Sequence, residues 1–150
     1  MPLKPENSPI KVLLVEDNPG DIRLTRDAIR ESGLNCDVHV LRDGAEAILY
    51  LKREGKYAGV QPPELIILDW NLPKRNGMEV LREIKGQEEL RMIPVIILTS
   101  SESQRDIEQA YHNFANCYIT KPLDHEDYSG VIKAIQNFWL SVAKLPSATV

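Results

Sequence analysis

The chain alternates five short runs of aliphatic and β-branched residues with five amphipathic stretches, and this alternation limits the folds that are open to it. The runs cover residues 11–15, 37–41, 65–68, 95–98 and 116–119. Most of them are nearly all apolar, as expected of strands that are covered on both faces of a sheet. Such an alternation predicts a parallel sheet with crossover helices, and the 150 residues fit one domain of this kind.

Helix-capping residues indicate where the helices begin. Asn18 followed by Pro19 predicts a first helix over residues 19–32, in which Asp21 favours the N-terminal dipole. Three further starts carry a cap residue three positions before an acidic residue, and these caps are Asp43, Asn76 and Ser103. Apolar residues at spacings of three and four predict a fifth helix, the longest, over residues 125–143.

Five strand–helix units joined by right-handed crossovers form either a barrel fragment or an open doubly wound sheet. At this chain length we predict the open sheet, a flavodoxin-like α/β fold with five parallel strands in the order 2-1-3-4-5. We expect residues 10–143 to form the domain, with a flexible segment at 1–9 and a tail at 144–150. The predicted order puts Cys36 and Cys117 about 19 Å apart at opposite edges, which excludes a disulfide between them.

Charge and hydropathy exclude several classes of function. Lys and Arg number 18 against 22 Asp and Glu, and no basic face is present, which argues against direct nucleic-acid binding. The apolar runs are far shorter than the ~20 residues that a membrane-spanning helix needs. The N-terminal residues lack the pattern of a secretory signal, so we expect a cytoplasmic protein.

Polar residues follow four of the predicted strands. They are Glu16 and Asp17 after the first strand, Asp69 and Asn71 after the third, Thr99, Ser100 and Ser101 after the fourth, and Lys121 after the fifth. The carboxyl ends of parallel strands meet at one edge, and neighbouring strands lie ~5 Å apart, so we expect these groups to converge. The first of these turns also lacks the glycines that bring backbone amides onto a nucleotide phosphate.

Carboxylates crowded at one edge repel each other unless a cation lies between them. A hard divalent ion such as Mg²⁺ accepts these oxygen ligands and keeps room for a phosphoryl group. Asp69 could then act as a nucleophile that forms an aspartyl-phosphate, with Lys121 and Thr99 contacting the phosphoryl oxygens. Taken singly, each residue has an ordinary explanation as a helix cap, turn or loop residue, and the prediction depends on their joint occurrence.

An alternative from another class is a Mg²⁺-dependent phosphoryl hydrolase or nucleic-acid-cleaving domain. Such a domain places a second acid after the strand that carries Asp69, and here that position holds Asn71. The histidines lack the spacing of metal ligands or of a catalytic triad and are expected at the surface or at an edge; they are His39, His112 and His125.

Five segments carry a resemblance to a known family, and they are residues 12–18, 66–73, 76–77, 94–100 and 118–122. With these motifs the chain resembles the response-regulator receiver domain of two-component signalling over residues 10–140. The resemblance implies that Asp69 takes a phosphoryl group from a phosphohistidine on a sensor histidine kinase. It implies a signalling protein, not an enzyme in the usual sense, that assists its own phosphorylation and dephosphorylation.

The resemblance also implies a cation site and a phosphoryl site. Asp17, Asp69 and the backbone carbonyl of Asn71 would hold Mg²⁺, for which Mn²⁺ or Ca²⁺ can substitute, with Glu16 acting through water. Lys121 would contact the phosphoryl oxygens beside a cis peptide bond into Pro122.

A switching mechanism is implied as well. Thr99 and Ser100 would bind the phosphoryl group, and Tyr118 would turn inward and change the face made by helix four, strand five and helix five. Asn71 and Ser101 flank the acceptor and would influence the lifetime of the phosphate. The downstream target would be a protein, whose identity the sequence does not indicate.

Two features are similar to the single-domain regulators of cyanobacterial phytochromes, which suggests a phytochrome-type kinase as partner. One is the long connection at residues 53–63, whose tyrosine and prolines predict an ordered loop. The other is the end of the fifth helix, which should extend past the sheet and expose Phe138, Trp139, Val142 and Leu145. These side chains either fold back onto their own domain or form a homodimer with the helix-four to helix-five face, and we favour the dimer.

Overall fold

Five parallel strands form one sheet in the order β2-β1-β3-β4-β5. The strands are β1 (Ile10–Val15), β2 (Cys36–Leu41), β3 (Leu65–Leu68), β4 (Val95–Thr99) and β5 (Cys117–Thr120). They come from a computed structural model that describes residues 8–146. The predicted fold class and strand order are confirmed. Most of the predicted flexible segment (1–9) and part of the predicted tail (144–150) lie outside the described residues.

Each helix begins at a residue whose side chain accepts a backbone N–H of the first turn. The helices are α1 (Pro19–Glu31), α2 (Gly44–Leu51), α3 (Gly77–Gly86), α4 (Gln104–His112) and α5 (His125–Ile135). Their caps are Asn18, Asp43, Asn76, Ser103 and Asp124. The four caps predicted from the sequence are therefore confirmed. Such caps are needed because an uncapped first turn would leave its N–H groups without acceptors.

The prediction of one regular helix over residues 125–143 is wrong at its C-terminal part. The α5 helix changes to π-helical winding over Gln136–Val142, and the N–H of Ala143 donates to the carbonyl oxygen of Phe138 at 2.7 Å. This winding places both Gln136 and Leu140 in buried positions. The spacing of apolar residues cannot distinguish α-helical from π-helical winding over so short a stretch, since both bury residues that are three to five positions apart.

The sheet is covered on both faces, and the side chains of β1 alternate between the two layers. Leu13 and Val15 point into the layer formed with α2, α3 and α4. Val12 and Leu14 point into the layer formed with α1 and α5. At the edge strand β2 the exposed positions are polar, as expected of a strand that has only one neighbour.

The predicted overhang of the last helix is only partly correct. Trp139 and Leu145 pack against the α1–α5 layer of their own domain. Phe138 and Val142 remain 54% and 69% exposed. Half of the predicted set is thus covered by the domain itself.

The connection after α2 is ordered by aromatic contacts. Residues Gly55–Tyr57 form a 3₁₀ turn, and the Tyr57 hydroxyl donates to Glu46 Oε2 at 2.5 Å. The Tyr57 ring meets Tyr50 edge to face, with ring centroids 5.1 Å apart. The His39 ring also stacks on Tyr50, with ring centroids 4.7 Å apart, so this histidine has a packing role at the sheet edge. All three histidines are exposed, as predicted.

Cys36 and Cys117 lie on the two edge strands, β2 and β5, and form no disulfide bond with each other, as the predicted order requires. Among residues 8–146, no helix combines the length and the apolar character that a bilayer span needs.

Gly77 at the start of α3 lies against the turn that follows β3, which suggests a test of this packing. In a Gly77→Ala variant the new Cβ would stand 2.6 Å from Trp70 Cα and overlap the carbonyl oxygen of Asp69. We expect the free energy of unfolding to fall by about 1–3 kcal/mol in chemical denaturation.

Gly130 provides the matched control, because a Cβ added at this position inside α5 would meet nothing within 4 Å beyond the backbone of its own helix. Gly130→Ala should raise the free energy of unfolding by about 0.5–1 kcal/mol through helix propensity alone. Equal effects of the two substitutions would contradict the close approach at Gly77.

Candidate functional site

The polar residues predicted to converge lie together at the carboxyl edge of the sheet. Glu16 and Asp17 follow β1, Asp69 follows β3, Thr99 ends β4 and Lys121 follows β5. The parallel register brings these strand ends to one side, with β3 between β1 and β4.

Three carboxylates form the centre of the site. Ligand oxygens of Glu16, Asp17 and Asp69 all lie within 4.8 Å of one another. Glu16 and Asp69 are buried, whereas Asp17 is exposed and leaves the cluster open to solvent. The pKa of Glu16 is raised to about 7, mainly by burial of its carboxyl group and secondly by the negative charge of Asp69. This crowding of anionic oxygens fits a hard divalent cation, which would remove the repulsion.

Lys121 closes the site from the side of β5. Its Nζ lies 2.5 Å from Glu16 Oε1, 2.9 Å from Asp21 Oδ2 and 3.3 Å from Asp69 Oδ2. Burial alone would lower the pKa of Lys121, but the hydrogen bonds with Glu16 and Asp21 and the charge of Asp69 hold it above its ordinary value. The side chain is therefore an ammonium group whose three N–H donors each face a carboxylate.

Thr99 contributes a hydroxyl that lacks a hydrogen-bond partner among the described residues. The residue is fully buried at the end of β4. A buried polar group without a partner is costly, so its retention indicates a group that is satisfied in another state of the protein. An anionic oxygen bound beside Asp69, which follows the neighbouring strand β3, would supply such an acceptor.

The remaining predicted residues have hydrogen bonds or exposed side chains close to the same strand ends. The backbone N–H of Asn71 donates to Asp69 Oδ1 at 3.3 Å. The Tyr118 hydroxyl donates to the carbonyl oxygen of Ser101 at 2.9 Å. The Ser101 hydroxyl itself donates to Asp106 Oδ2 at 2.6 Å, and Ser100 is exposed.

The predicted cis peptide bond into Pro122 is not present, since no peptide bond among residues 8–146 is cis. The trans isomer is the form that bonds to proline favour by about 0.5–1 kcal/mol, and the sequence carries no signal that separates the two.

Asp21 is the residue of this site that sequence reasoning missed. The sequence assigns it only a favourable interaction with the N-terminal dipole of the first helix, and the structure places its carboxylate on Lys121. Acidic residues stand in the first turn of every one of the five α-helices, so the pattern offers no reason to single it out.

Known proteins resemble the chain both at the level of a family and as individual relatives. The family profile of the response regulator receiver domain matches residues 12–133. Response regulator Rcp1 of Synechocystis sp. is 40% identical over 142 residues, which cover 95% of this chain and 97% of that protein. The probable methanogenesis regulatory protein FilR2 of Methanothrix harundinacea is 41% identical over 139 residues, covering 92% of this chain and 88% of the relative.

Solved structures agree with this assignment. The phosphorylated cyanobacterial phytochrome response regulator RcpA is 46% identical with a TM-score of 0.91, covering 93% of this chain and 100% of that one. The Mn²⁺-bound form of Rcp1 is 40% identical with a TM-score of 0.90, covering 92% of this chain and 99% of the other.

The pKa of Glu16 gives a testable pH dependence for cation binding. Because a cation must displace the proton that Glu16 holds below about pH 7, we expect Mn²⁺ to bind more tightly as the pH rises through this value. A group with this pKa is about ten times more ionised at pH 8 than at pH 6, so affinity should rise by about tenfold. The fluorescence of Trp70, directly after Asp69, can report the titration in a Trp139→Phe background.

Glu16→Gln is the control for this titration, because it keeps the size of the side chain and removes the ionisable group. Its Mn²⁺ affinity should vary much less between pH 6 and pH 8. A pH dependence that persists unchanged in Glu16→Gln would assign the effect to another group.

Proposed function

Since the chain belongs to the response regulator receiver domain family, we propose that it accepts a phosphoryl group on Asp69 from a sensor histidine kinase. One observation carries this proposal. The buried Asp69 carboxylate lies within 4.8 Å of the Glu16 and Asp17 oxygens and also contacts the Lys121 ammonium. A single carboxylate is thereby placed between an anionic cluster that suits a cation and a fixed positive charge.

The chemistry follows from these positions. An Asp69 oxygen attacks the phosphorus of a phosphohistidine, and the phosphorus–nitrogen bond breaks with its electron pair left on the imidazole. Lys121 then donates to a phosphoryl oxygen, since it already contacts Asp69 Oδ2 at 3.3 Å. The hydroxyl of Thr99 gains an acceptor, which residues 8–146 do not provide, and Ser100 next to it provides a second polar contact.

We propose that Mg²⁺ is the physiological ion, with Mn²⁺ or Ca²⁺ able to substitute. Asp17, Asp69 and the backbone carbonyl of Asn71 would hold it, and Glu16 would act through water. When bound, the ion neutralises the crowded carboxylates and withdraws charge from the phosphoryl group. The carboxylate cluster supports this assignment, as does the Mn²⁺-bound form of the relative Rcp1.

Signalling requires a change that partners can detect. In our proposal Thr99 moves toward the phosphoryl group and Tyr118 turns inward, which breaks the 2.9 Å bond of its hydroxyl to Ser101. The face formed by α4, β5 and α5 changes as a result, as a population shift between two arrangements. Asn71 and Ser101 flank Asp69 and influence how water attacks the phosphate.

The partner kinase is proposed to be of the phytochrome type. This rests on likeness to RcpA, a cyanobacterial phytochrome response regulator, at 46% identity over nearly the whole chain. Residues 10–143 would act as one receiver domain in the cytoplasm and transmit the signal to a downstream protein. The domain would assist its own phosphorylation and dephosphorylation without turning over other substrates.

Phosphorylation by a small donor tests the proposal directly. With Mg²⁺ and acetyl phosphate, intact-mass spectrometry should show up to one base-labile phosphoryl group per chain, because within residues 8–146 only Asp69 lies between the carboxylate cluster and Lys121. Asp69→Asn should show none, and Asp37→Asn, which removes an exposed carboxylate on β2, should behave like the unmodified chain. Multiple turnover of unrelated phosphoesters would instead indicate a hydrolase.

A homodimer through the α4 to α5 side is the second part of the proposal. Phe138 and Val142 remain 54% and 69% exposed on the π-helical end. Covering these apolar side chains with a second copy of the chain would remove them from water. These two residues, with Trp139 and Leu145 beside them, are the candidate contacts.

Light scattering at tens of micromolar protein tests the dimer. We expect a dimer mass for the unmodified chain and a monomer mass for the double variant Phe138→Ser, Val142→Ser, because the apolar contact is lost. Met92→Ser removes an equally exposed apolar side chain, 63% accessible, from another part of the surface and should leave the dimer intact. A monomer mass for the unmodified chain would contradict this part of the proposal.

A further inference from the structure

The contact between Asp21 and Lys121 joins the first turn of α1 to the phosphoacceptor edge. Asp21 Oδ2 lies 2.9 Å from Lys121 Nζ, and its side chain is 23% exposed while that of Lys121 is 8% exposed. Asp21 does not belong to the carboxylate cluster that could hold a cation. It is therefore a fourth acid at this edge, and its carboxylate contacts the ammonium group of Lys121.

A first-turn acid has an ordinary function at a helix N-terminus, but the local hydrogen bonds show that Asp21 is not used in that way. In α3 the equivalent residue, Glu79, accepts the N–H of its cap residue Asn76 and closes a capping box. In α1 the N–H of Asn18 donates to Glu16 Oε2 at 3.2 Å instead. The carboxylate of Asp21 is thus free of the capping role and turns to Lys121.

Counting donors shows what this contact achieves. An ammonium group has three N–H donors, and those of Lys121 face Glu16, Asp21 and Asp69. In the proposed function Asp69 is a cation ligand and Glu16 acts on the cation through water, so Lys121 competes with the cation site for the oxygens of both residues. Asp21 is the one partner that the lysine can keep when a cation occupies the cluster.

We propose that Asp21 is a positioning residue, which holds the Lys121 ammonium on the α1 side of the site. This leaves Glu16 and Asp69 available to the divalent cation and keeps an N–H directed at the position of a phosphoryl oxygen. The inference deepens the proposed phosphoacceptor function and rests on it. Asp21 acts through Lys121 and touches neither the cation nor the phosphoryl group.

Mn²⁺ affinity at pH 8, followed by Trp70 fluorescence in the Trp139→Phe background, tests this role. Asp21→Asn should weaken Mn²⁺ binding by about three- to tenfold, because Lys121 then bonds more strongly to the cation ligands. Asp127→Asn is the matched control: it removes an exposed acid from the first turn of α5 and should change the affinity by less than about twofold.

A double-mutant cycle separates an action through Lys121 from a simple loss of negative charge. In a Lys121→Met background, Asp21→Asn should alter Mn²⁺ affinity by less than about twofold, because the group that it positions is gone. An undiminished effect in this background would overturn the proposal. Lys121→Gln serves the same purpose if the Met variant does not give a cooperative thermal melt.

Phosphorylation by acetyl phosphate at saturating Mg²⁺ provides the second readout. Asp21→Asn should slow the rate even when the cation site is full, because Lys121 is no longer held toward the phosphoryl position, and an unchanged rate would overturn this part. If the unmodified chain takes up no phosphate while the affinity cycle behaves as expected, the proposed function fails and the positioning of Lys121 stands. If phosphate is taken up but the cycle shows no coupling, only the role of Asp21 fails.

Discussion

The mutual repulsion of carboxylates at the carboxyl edge of the sheet is the constraint on which the rest of the site depends. Parallel pairing of β1 and β3 forces Glu16 and Asp69 into one buried volume, and the pKa of Glu16 is raised to about 7 as a result. The Lys121 ammonium partly offsets this repulsion. Because this site carries an excess of negative charge, the binding of positive charge is favourable. A divalent cation or a change in the partners of Lys121 therefore alters the electrostatic energy of the site.

Much of this arrangement could be predicted from the sequence, because it follows from where the apolar runs end. A run such as Leu65–Leu68 must be a buried strand, and the next residue, Asp69, must then lie at the edge where ligands meet. The contact of Asp21 could not be predicted in this way, since it joins the first turn of α1 to Lys121, 100 residues further along the chain. The π-helical winding likewise depends on tertiary contacts, whereas the bond before Pro122 has the trans form that such bonds favour on their own.

The first turn of α1 is connected with α5 through buried polar groups. Thr25 Oγ1 donates to the carbonyl oxygen of Asp21 at 2.8 Å and also lies 3.2 Å from the Tyr128 hydroxyl. Thr25 and Tyr128 are both buried, and burial is the main cause of a pKa of about 12 for Tyr128. The backbone at Asp21 is therefore linked to α5 through Thr25 and Tyr128, which suits a residue that has to hold a lysine in one place.

The π-helical winding after Ile135 has a consequence for how the outer flank of the domain can vary. Successive residues of an α-helix are about 100° apart around the axis, so inserting or deleting a single residue at Gln136 would rotate all later side chains by about that angle. A different pair would then replace Phe138 and Val142 at the solvent side, while the strands and their carboxyl edge stay unchanged. Sequence length at this point thus affects which side chains a neighbouring molecule would meet on this flank.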